Sequence, residues 1–295
     1  MERFAAVTMV YQDYWFLKLW LDYYSKQFGR ENLYVLGHGY DEQHEEMCAG
    51  ANLIRVPRNG MFPDFDAQRW RMLSDYTAML KRHYSAVICT DVDEIIVAHR
   101  KPGELANVIS DHGLPGRAGA IGFEVLGGDE FDETRPVLQQ TQGCVFSSRY
   151  SKPCVIRTPG QFTPGAHGMN EDWQHSDELV LFHLQYANGT LRTLRKQALR
   201  DDIREAARTA DRHRADHRVA GLKDWVRGKE VAYRRTLGIL EDGEHLPFEQ
   251  AVARCHDVLE KTMFRTEDGP VRVRPRQARF FRTSTHVPEH LATVF

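Results

Sequence analysis

The chain has 295 residues, 39 Lys/Arg against 41 Asp/Glu, a formal charge of -2 and 42% hydrophobic residues. This suits a soluble globular protein of one large domain or two small ones, and the near-neutral balance gives no sign of nucleic-acid binding. Cys48, Cys89, Cys144, Cys154 and Cys255 are scattered, with no Cys-x-x-Cys pair, which argues against a disulfide framework and a thiolate zinc site. No apolar run approaches the ~20 residues that span a bilayer, and the start carries no signal-peptide pattern. The expected setting is a reducing cytoplasm, with peripheral attachment at a membrane face left open.

Phe4 to Tyr11 reads as a buried strand. Asp13 then stands where it can cap a helix running to about Phe28, with Phe16, Leu19, Trp20 and Tyr23 at helical spacing and Gly29 as the stop. That aromatic stripe reads as core. Leu33 to Leu36 is a second strand, ending in the loop Gly37-His38-Gly39-Tyr40-Asp41, and Asn52 to Val56 is a third. Phe62-Pro63-Asp64 leads into a helix from about Asp66 to His83, with Arg69 near its start where it could reach a phosphate. Strand–helix–strand order with short connections implies a parallel sheet with helices on its faces, which binds ligands at the carboxyl ends of its strands.

Residues 85–97, Ser-Ala-Val-Ile-Cys-Thr-Asp-Val-Asp-Glu-Ile-Ile-Val, are the centre of the chain. A buried strand stops at Asp91, Asp93 and Glu94, and a second apolar run follows at once. Like charges this close repel, and the usual offset is a divalent cation such as Mg²⁺ or Mn²⁺, which prefers carboxylate oxygens. Asp91 and Asp93 are therefore read as a metal–diphosphate site, with a solvated acidic turn as the alternative.

Pro102-Gly103-Glu104 opens a short helix to Ser110. Ala118 to Leu126, Gln142 to Ser147 and Lys152 to Arg157 read as further strands, and a Gly/Pro/His-rich loop runs from Pro159 to Asp172. Leu179 to Tyr186 is a strand carrying His183, which is either a satisfied core residue or a further ligand of the acidic site. From Leu191 the chain holds 22 Lys/Arg against 16 Asp/Glu and turns helical, around Leu191–Leu199, Trp225-Val226 and Phe248–Phe264. Val271 to Arg282 alternates arginine with apolar residues. It reads as an edge strand kept soluble by charge, or as a surface for anionic lipid or a lipid-linked diphosphate.

The opening strand and helix (VTMVYQDYWFLKLWLDYYSKQFG), the loop strand (LYVLGHGYD), the acidic strand (VICTDVDEIIV), SKPCVIR, GAHG and LFHLQY together resemble the glycosyltransferase family 2-like and family 92-like enzymes. The likeness covers roughly residues 1–200. It implies an α/β GT-A-type fold, a mixed, mostly parallel sheet flanked by helices. Residues 1–190 would be the nucleotide-sugar and catalytic domain, and 191–295 a mainly helical, Arg-rich extension. It implies Mn²⁺ or Mg²⁺ at Asp91 and Asp93, with His167 or His183 as a further ligand. Asp13 and Asp41 would stand near the nucleotide of a sugar-nucleotide donor, a UDP-sugar first. Asp172, then Glu171, would be the acceptor base. Glu124 is a rival base, because relatives have an aromatic residue there. Gln12-Asp13 also departs from the family's Asn-Glu.

The implied activity is transfer of a sugar to a hydroxyl of a glycan or lipid-linked acceptor, with inversion, in bacterial surface polysaccharide or glycoconjugate synthesis. The competing readings are a haloacid-dehalogenase-type phosphohydrolase with Asp91 as nucleophile, and a non-catalytic module that binds a sugar nucleotide or glycan.

Overall fold

The computed structural model describes residues 2–58, 65–111, 113–194, 197, 212–266, 272–275 and 281–295, with only the backbone described for 212–226 and 272–275. Phe62-Pro63-Asp64, Arg195, Ala198 and Leu199, and all of the tail from Val271 to Phe280 except Arg272–Pro275, lie outside it.

The protein is an open α/β sheet flanked by helices. β1 (Phe4–Val10), β2 (Leu33–His38), β3 (Asn52–Val56) and β4 (Ala86–Cys89) run parallel in the spatial order β4-β1-β2-β3. The other half is mixed. β8 (Pro153–Ile156) lies antiparallel between β4 and β6 (Arg117–Gly127), and β6 continues antiparallel to β7 (Thr141–Phe146). β5 (Glu94–Ala98) pairs antiparallel with β9 (Gln174–Tyr186), which runs parallel to β6. The chemistry follows from the register on these last three strands. His183 is the cross-strand partner of Glu94 on one side and of Glu124 on the other. Cross-strand partners project to the same face.

Helix α1 (Tyr14–Phe28) buries Phe16, Leu17, Trp20, Leu21, Tyr23 and Tyr24, so the stripe is core as expected. It also does polar work. Among the described residues β5 pairs with β9 alone, and across its other edge the Tyr23 hydroxyl donates to Ile96 O (2.8 Å) while Tyr24 Oη accepts from Ile96 N (3.0 Å). Trp20 Nε1 donates to Thr90 Oγ1 (3.1 Å), fixing the turn that carries Asp91. Buried backbone groups without partners are costly, so these aromatics set where the acidic turn sits. Asp13 occupies the N-cap position but makes no capping bond; it and Gln12 both have left-handed backbone (φ 52° and 56°).

The acidic turn is followed on the chain by α4 (Leu105–Ser110). It is preceded by α3 (Phe65–Leu80), shorter than the expected 66–83. A short helix missed in the sequence, α2 (Glu42–Met47), lies between β2 and β3.

The C-terminal third shares this core. α5 (Arg212–Asp242) is a long helix, and α6 (Phe248–Thr262) buries Phe248, Ala251, Val252, Cys255 and Leu259, an i, i+3, i+4, i+7, i+11 stripe, in the main cluster. Phe248 stacks on Phe123 of β6 at 5.9 Å. β10 (Glu244–His245) and β13 (Thr283–Thr285) extend the main sheet past β7, covering an edge that would otherwise expose unpaired backbone. β11 (Met263–Thr266) and β12 (Arg272–Pro275) form a separate antiparallel pair, so this part of the arginine-rich tail is a strand. No described helix is long and apolar enough to cross a membrane.

Candidate functional site

The ends of the parallel strands converge as their order requires. A cavity of about 520 Å³ is lined by Tyr11 and Asp13 after β1, His38 at the end of β2, and Asp91, Val92 and Asp93 after β4. Arg58, Phe65 and Arg69 close one side, and Arg149, Tyr150, His167, His183 and Lys229 the other. The Arg58 guanidinium lies 3.4 Å over the Tyr11 ring, and His38 stacks on Phe65 at 5.0 Å.

Asp91 and Asp93 are two residues apart and have different partners. Asp91 is held by Arg69 through Oδ1 and by Lys152 Nζ, 3.3 Å from Oδ2. Burial works against its charge, but Arg69 and Lys152 outweigh that and keep its carboxyl well below the usual range. Lys152 is fully buried, with Nζ 2.7 Å from Glu94 Oε1. Burial opposes its charge, and Glu94 and Asp91 more than restore it. Burial pushes Glu94 up to about 7, with Lys152 acting against the rise, and Glu94 Oε2 accepts from the Asp91 amide (3.1 Å).

Asp93 faces His183 instead. His183 Nε2 lies 3.4 Å from Asp93 Oδ2, and its Nδ1 donates to Glu124 Oε2 at 2.6 Å. Tyr150 stacks on the imidazole, with ring centroids 3.7 Å apart at 17°. Burial would lower the His183 pKa, but Glu124 and then Asp93 raise it to about 10. For Asp93, burial would raise the pKa and His183 brings it below its ordinary value.

Asp93, Glu94 and His183 each offer a ligand atom, all within 4.8 Å of one another. Two ligands at right angles on a divalent ion at ~2.1 Å are ~3 Å apart, close to the Asp93–His183 separation. A carboxylate on the remote nitrogen of a ligating histidine fixes its tautomer, and Glu124 holds that place. The donor set therefore fits a hard divalent cation, with one change to the expectation. Asp93 and His183 are the pair open to an ion, whereas both oxygens of Asp91 are turned to Arg69 and Lys152. His167 lines the same cavity outside this group, its Nδ1 2.9 Å from Arg149 O. Burial, then Lys152, lowers it to about 4.

The remaining expected residues divide. Arg69 reaches the cavity but pairs with Asp91, so it positions the turn. Asp41 does not line the cavity. It caps α2, accepting from the amides of Gln43 and His44 and from the Tyr14 hydroxyl. Glu171 accepts from Gln161 N, and Asp172 pairs with Arg265 at 80% side-chain exposure; neither lines the cavity. Their loop is closed on itself by the Thr163–Gly168 and Gln161–Asn170 backbone bonds, with Phe162 N held by Ser74 of α3. Of the three base candidates, only Glu124 touches the acidic centre.

Lys152, Tyr150, Tyr11, His38 and Arg58 were not found in the sequence as site residues. Tyr11 and His38 follow or end predicted strands, which is a usable signal. A single lysine before a strand has none.

No family model matches the chain, and no curated protein matches it. Among solved structures, part of the chain is similar to the glycosyltransferase GlyE of Streptococcus pneumoniae TIGR4, with 18% identity, a TM-score of 0.26, and coverage of 41% of this chain and 30% of that one. For the apo form of the same glycosyltransferase the values are 17%, 0.25, 41% and 29%. The chain thus spans less than a third of the length of these neighbours.

Proposed function

We propose that the protein is a metal-dependent glycosyltransferase that moves a sugar from a nucleotide-sugar donor to an acceptor hydroxyl. The observation that supports this best is the Asp93–His183–Glu124 chain, whose Asp93 and His183 line the cavity at the carboxyl edge of the parallel strands with Arg58, Arg69 and Arg149. Asp93 and His183, with Glu94 in reach, would hold Mn²⁺ or Mg²⁺, which supplies Lewis-acid stabilisation of charge on a departing diphosphate. The resident cations add fixed positive potential where that charge grows. Asp91, held on both oxygens, keeps the turn in place.

Glu124 is the residue for the acceptor proton. Its Oε2 accepts a hydrogen bond from His183 Nδ1–H, which leaves the carboxylate's Oε1 to accept from a hydroxyl. Direct displacement by that hydroxyl inverts the anomeric carbon. The phosphohydrolase alternative needs a free Asp91 carboxylate as nucleophile, and the engagement of both its oxygens supports transfer instead. A lipid-linked or surface-glycan acceptor, with cytoplasmic location at a membrane face, completes the proposal.

The test is donor binding and slow donor hydrolysis across a panel of sugar nucleotides, UDP-sugars first, with Mn²⁺, Mg²⁺ or EDTA. Metal-dependent binding of one donor, lost in Asp93→Ala, is expected. No donor bound, with cleavage of a generic phosphomonoester that Asp91→Asn abolishes, would overturn the proposal.

A further inference from the structure

A second cavity of about 540 Å³ adjoins the first and shares Arg149, Tyr150, Gln185 and Lys229 with it. Its far wall is the C-terminal half of α5, through Val231, Ala232, Arg235, Thr236 and Ile239, and its rings are Phe146, Tyr186 and Phe281. The chain of hydrogen-bonding groups crosses from one cavity to the other. Asp93 and His183 line the first, and Glu124 lines the second. Glu124 is therefore presented to whatever occupies the second cavity, one imidazole away from the proposed metal pair.

The charge of this second cavity is one-sided. Glu124 is its only acid among the described residues, and it is matched by His183. Arg149, Lys229 and Arg235 are its cations, and Lys229 is tied to the wall by a 2.9 Å bond to Gln185 Oε1. Aromatic faces suit the apolar C–H faces of a sugar ring. Cations in excess of local acids select an anionic group, and arginine does so with two parallel donors. Val231 is 59% exposed at this wall, an apolar side chain left open to a ligand.

We propose that the second cavity is the acceptor site and that it takes an anionic saccharide, one carrying a carboxylate or phosphate. The anion meets Arg235, Lys229 and Arg149, the ring lies against Tyr186 and Phe281, and the reacting hydroxyl points to Glu124. This rests on the glycosyltransferase reading and specifies its acceptor.

The experiment is saturation-transfer NMR of the full chain with Mg²⁺ and UDP present. The probes are methyl β-D-glucuronide, glucose 6-phosphate and neutral methyl β-D-glucoside. The variants are Arg235→Gln, which removes one cation, and Val231→Trp, which fills the cavity; UDP binding by calorimetry is the control. The expected result is saturable binding of at least one anionic probe, roughly five- to tenfold weaker in Arg235→Gln. Val231→Trp should abolish it, the neutral glucoside should bind at least tenfold more weakly, and UDP affinity should be unchanged in both variants. Equal binding of the neutral and anionic probes, or indifference to Arg235→Gln, overturns the anionic assignment. Absence of all three probes from a protein that still binds UDP overturns the acceptor site while leaving the glycosyltransferase reading intact. Loss of UDP and sugar-nucleotide binding in the wild type removes both.

Discussion

Replacing Lys152 with methionine keeps most of the unbranched side chain and removes its charge. In the wild type the ammonium is fully buried, 2.7 Å from Glu94 Oε1 and 3.3 Å from Asp91 Oδ2, and Glu94 is itself fully buried. Removing one member of a buried ion pair leaves the other charge desolvated, which costs about 3–5 kcal/mol. Asp91 keeps Arg69, so the loss falls chiefly on Glu94. Burial already pushes Glu94 up to about 7 with Lys152 opposing the rise, and without the lysine it rises further.

A carboxyl with a raised folded pKa binds its proton more tightly folded than unfolded, so its favourable contribution is present at low pH and lost as pH rises. The destabilisation of Lys152→Met should therefore be about 1–3 kcal/mol smaller at pH 5 than at pH 8. Urea titrations in EDTA at both pH values measure this, and Lys152→Met/Glu94→Gln should recover most of the loss at pH 8. A single-variant loss below about 1 kcal/mol at pH 8, with no recovery in the double variant, would refute the reasoning.

Tyr24→Phe removes the acceptor for the Ile96 amide at the unpaired edge of β5, and should cost about 1–3 kcal/mol in urea unfolding. Glu124→Gln keeps the shape but not the base: at saturating metal, turnover should fall about 10²- to 10⁴-fold in a steady-state transfer assay, with donor affinity little changed. Glu260 on α6 bonds to His175 of β9, and that contact lowers its carboxyl below its ordinary value near 4.5. The stability it adds is present above that ordinary value and lost as pH falls through the lowered one. Glu260→Gln should thus destabilise by under about 1 kcal/mol at pH 7, the carboxylate being part-exposed, with the difference vanishing near pH 3 in the same titrations.

The strands and long helices could be read from the sequence because each carries its own signal. β4 is an unbroken apolar run, β1 is one but for Thr8, and the α1 stripe repeats at helical spacing before a glycine. Glu124 and His183 stood out for a related reason, a polar side chain inside a buried strand being conspicuous because burial makes it need a partner, and Asp93 stood out as one of a cluster of acids between two apolar runs. Asp41 has a local use that the sequence reading did not include, since a loop acid before a helix can serve as its N-cap, as it does here. The placing of Glu171 and Asp172, on Gln161 N and Arg265, was not legible because an acid pair in a loop says nothing of which way the loop closes. Lys152 lay in the quoted SKPCVIR stretch but was given no role, since its partner Asp91 lies 61 residues away and only the sheet brings them together. The tail was half legible: Arg272–Pro275 is a strand, while the rest of the arginine pattern up to Phe280 lies outside the described residues.

Lys152 also changes what the acidic cluster means. From sequence alone, three carboxylates at the end of a buried strand seem to demand an external cation. In the folded protein Arg69 and Lys152 neutralise Asp91 and Glu94, and a protonated His183 stands between Asp93 and Glu124. Charge repulsion therefore does not compel a metal. What favours one is pairing: Asp93 and His183 both line the cavity, whereas Asp91 has its oxygens held by Arg69 and Lys152 and Glu94 is fully buried against Lys152. A metal entering at Asp93 requires His183 to give up its Nε2 proton, because only the neutral imidazole ligates. Metal affinity should accordingly rise with pH, and Glu124→Gln, which removes the group that most raises the His183 pKa, should make the proton easier to displace. Glu124 then has two opposed effects: it orients the imidazole for the ion and holds the proton that competes with it.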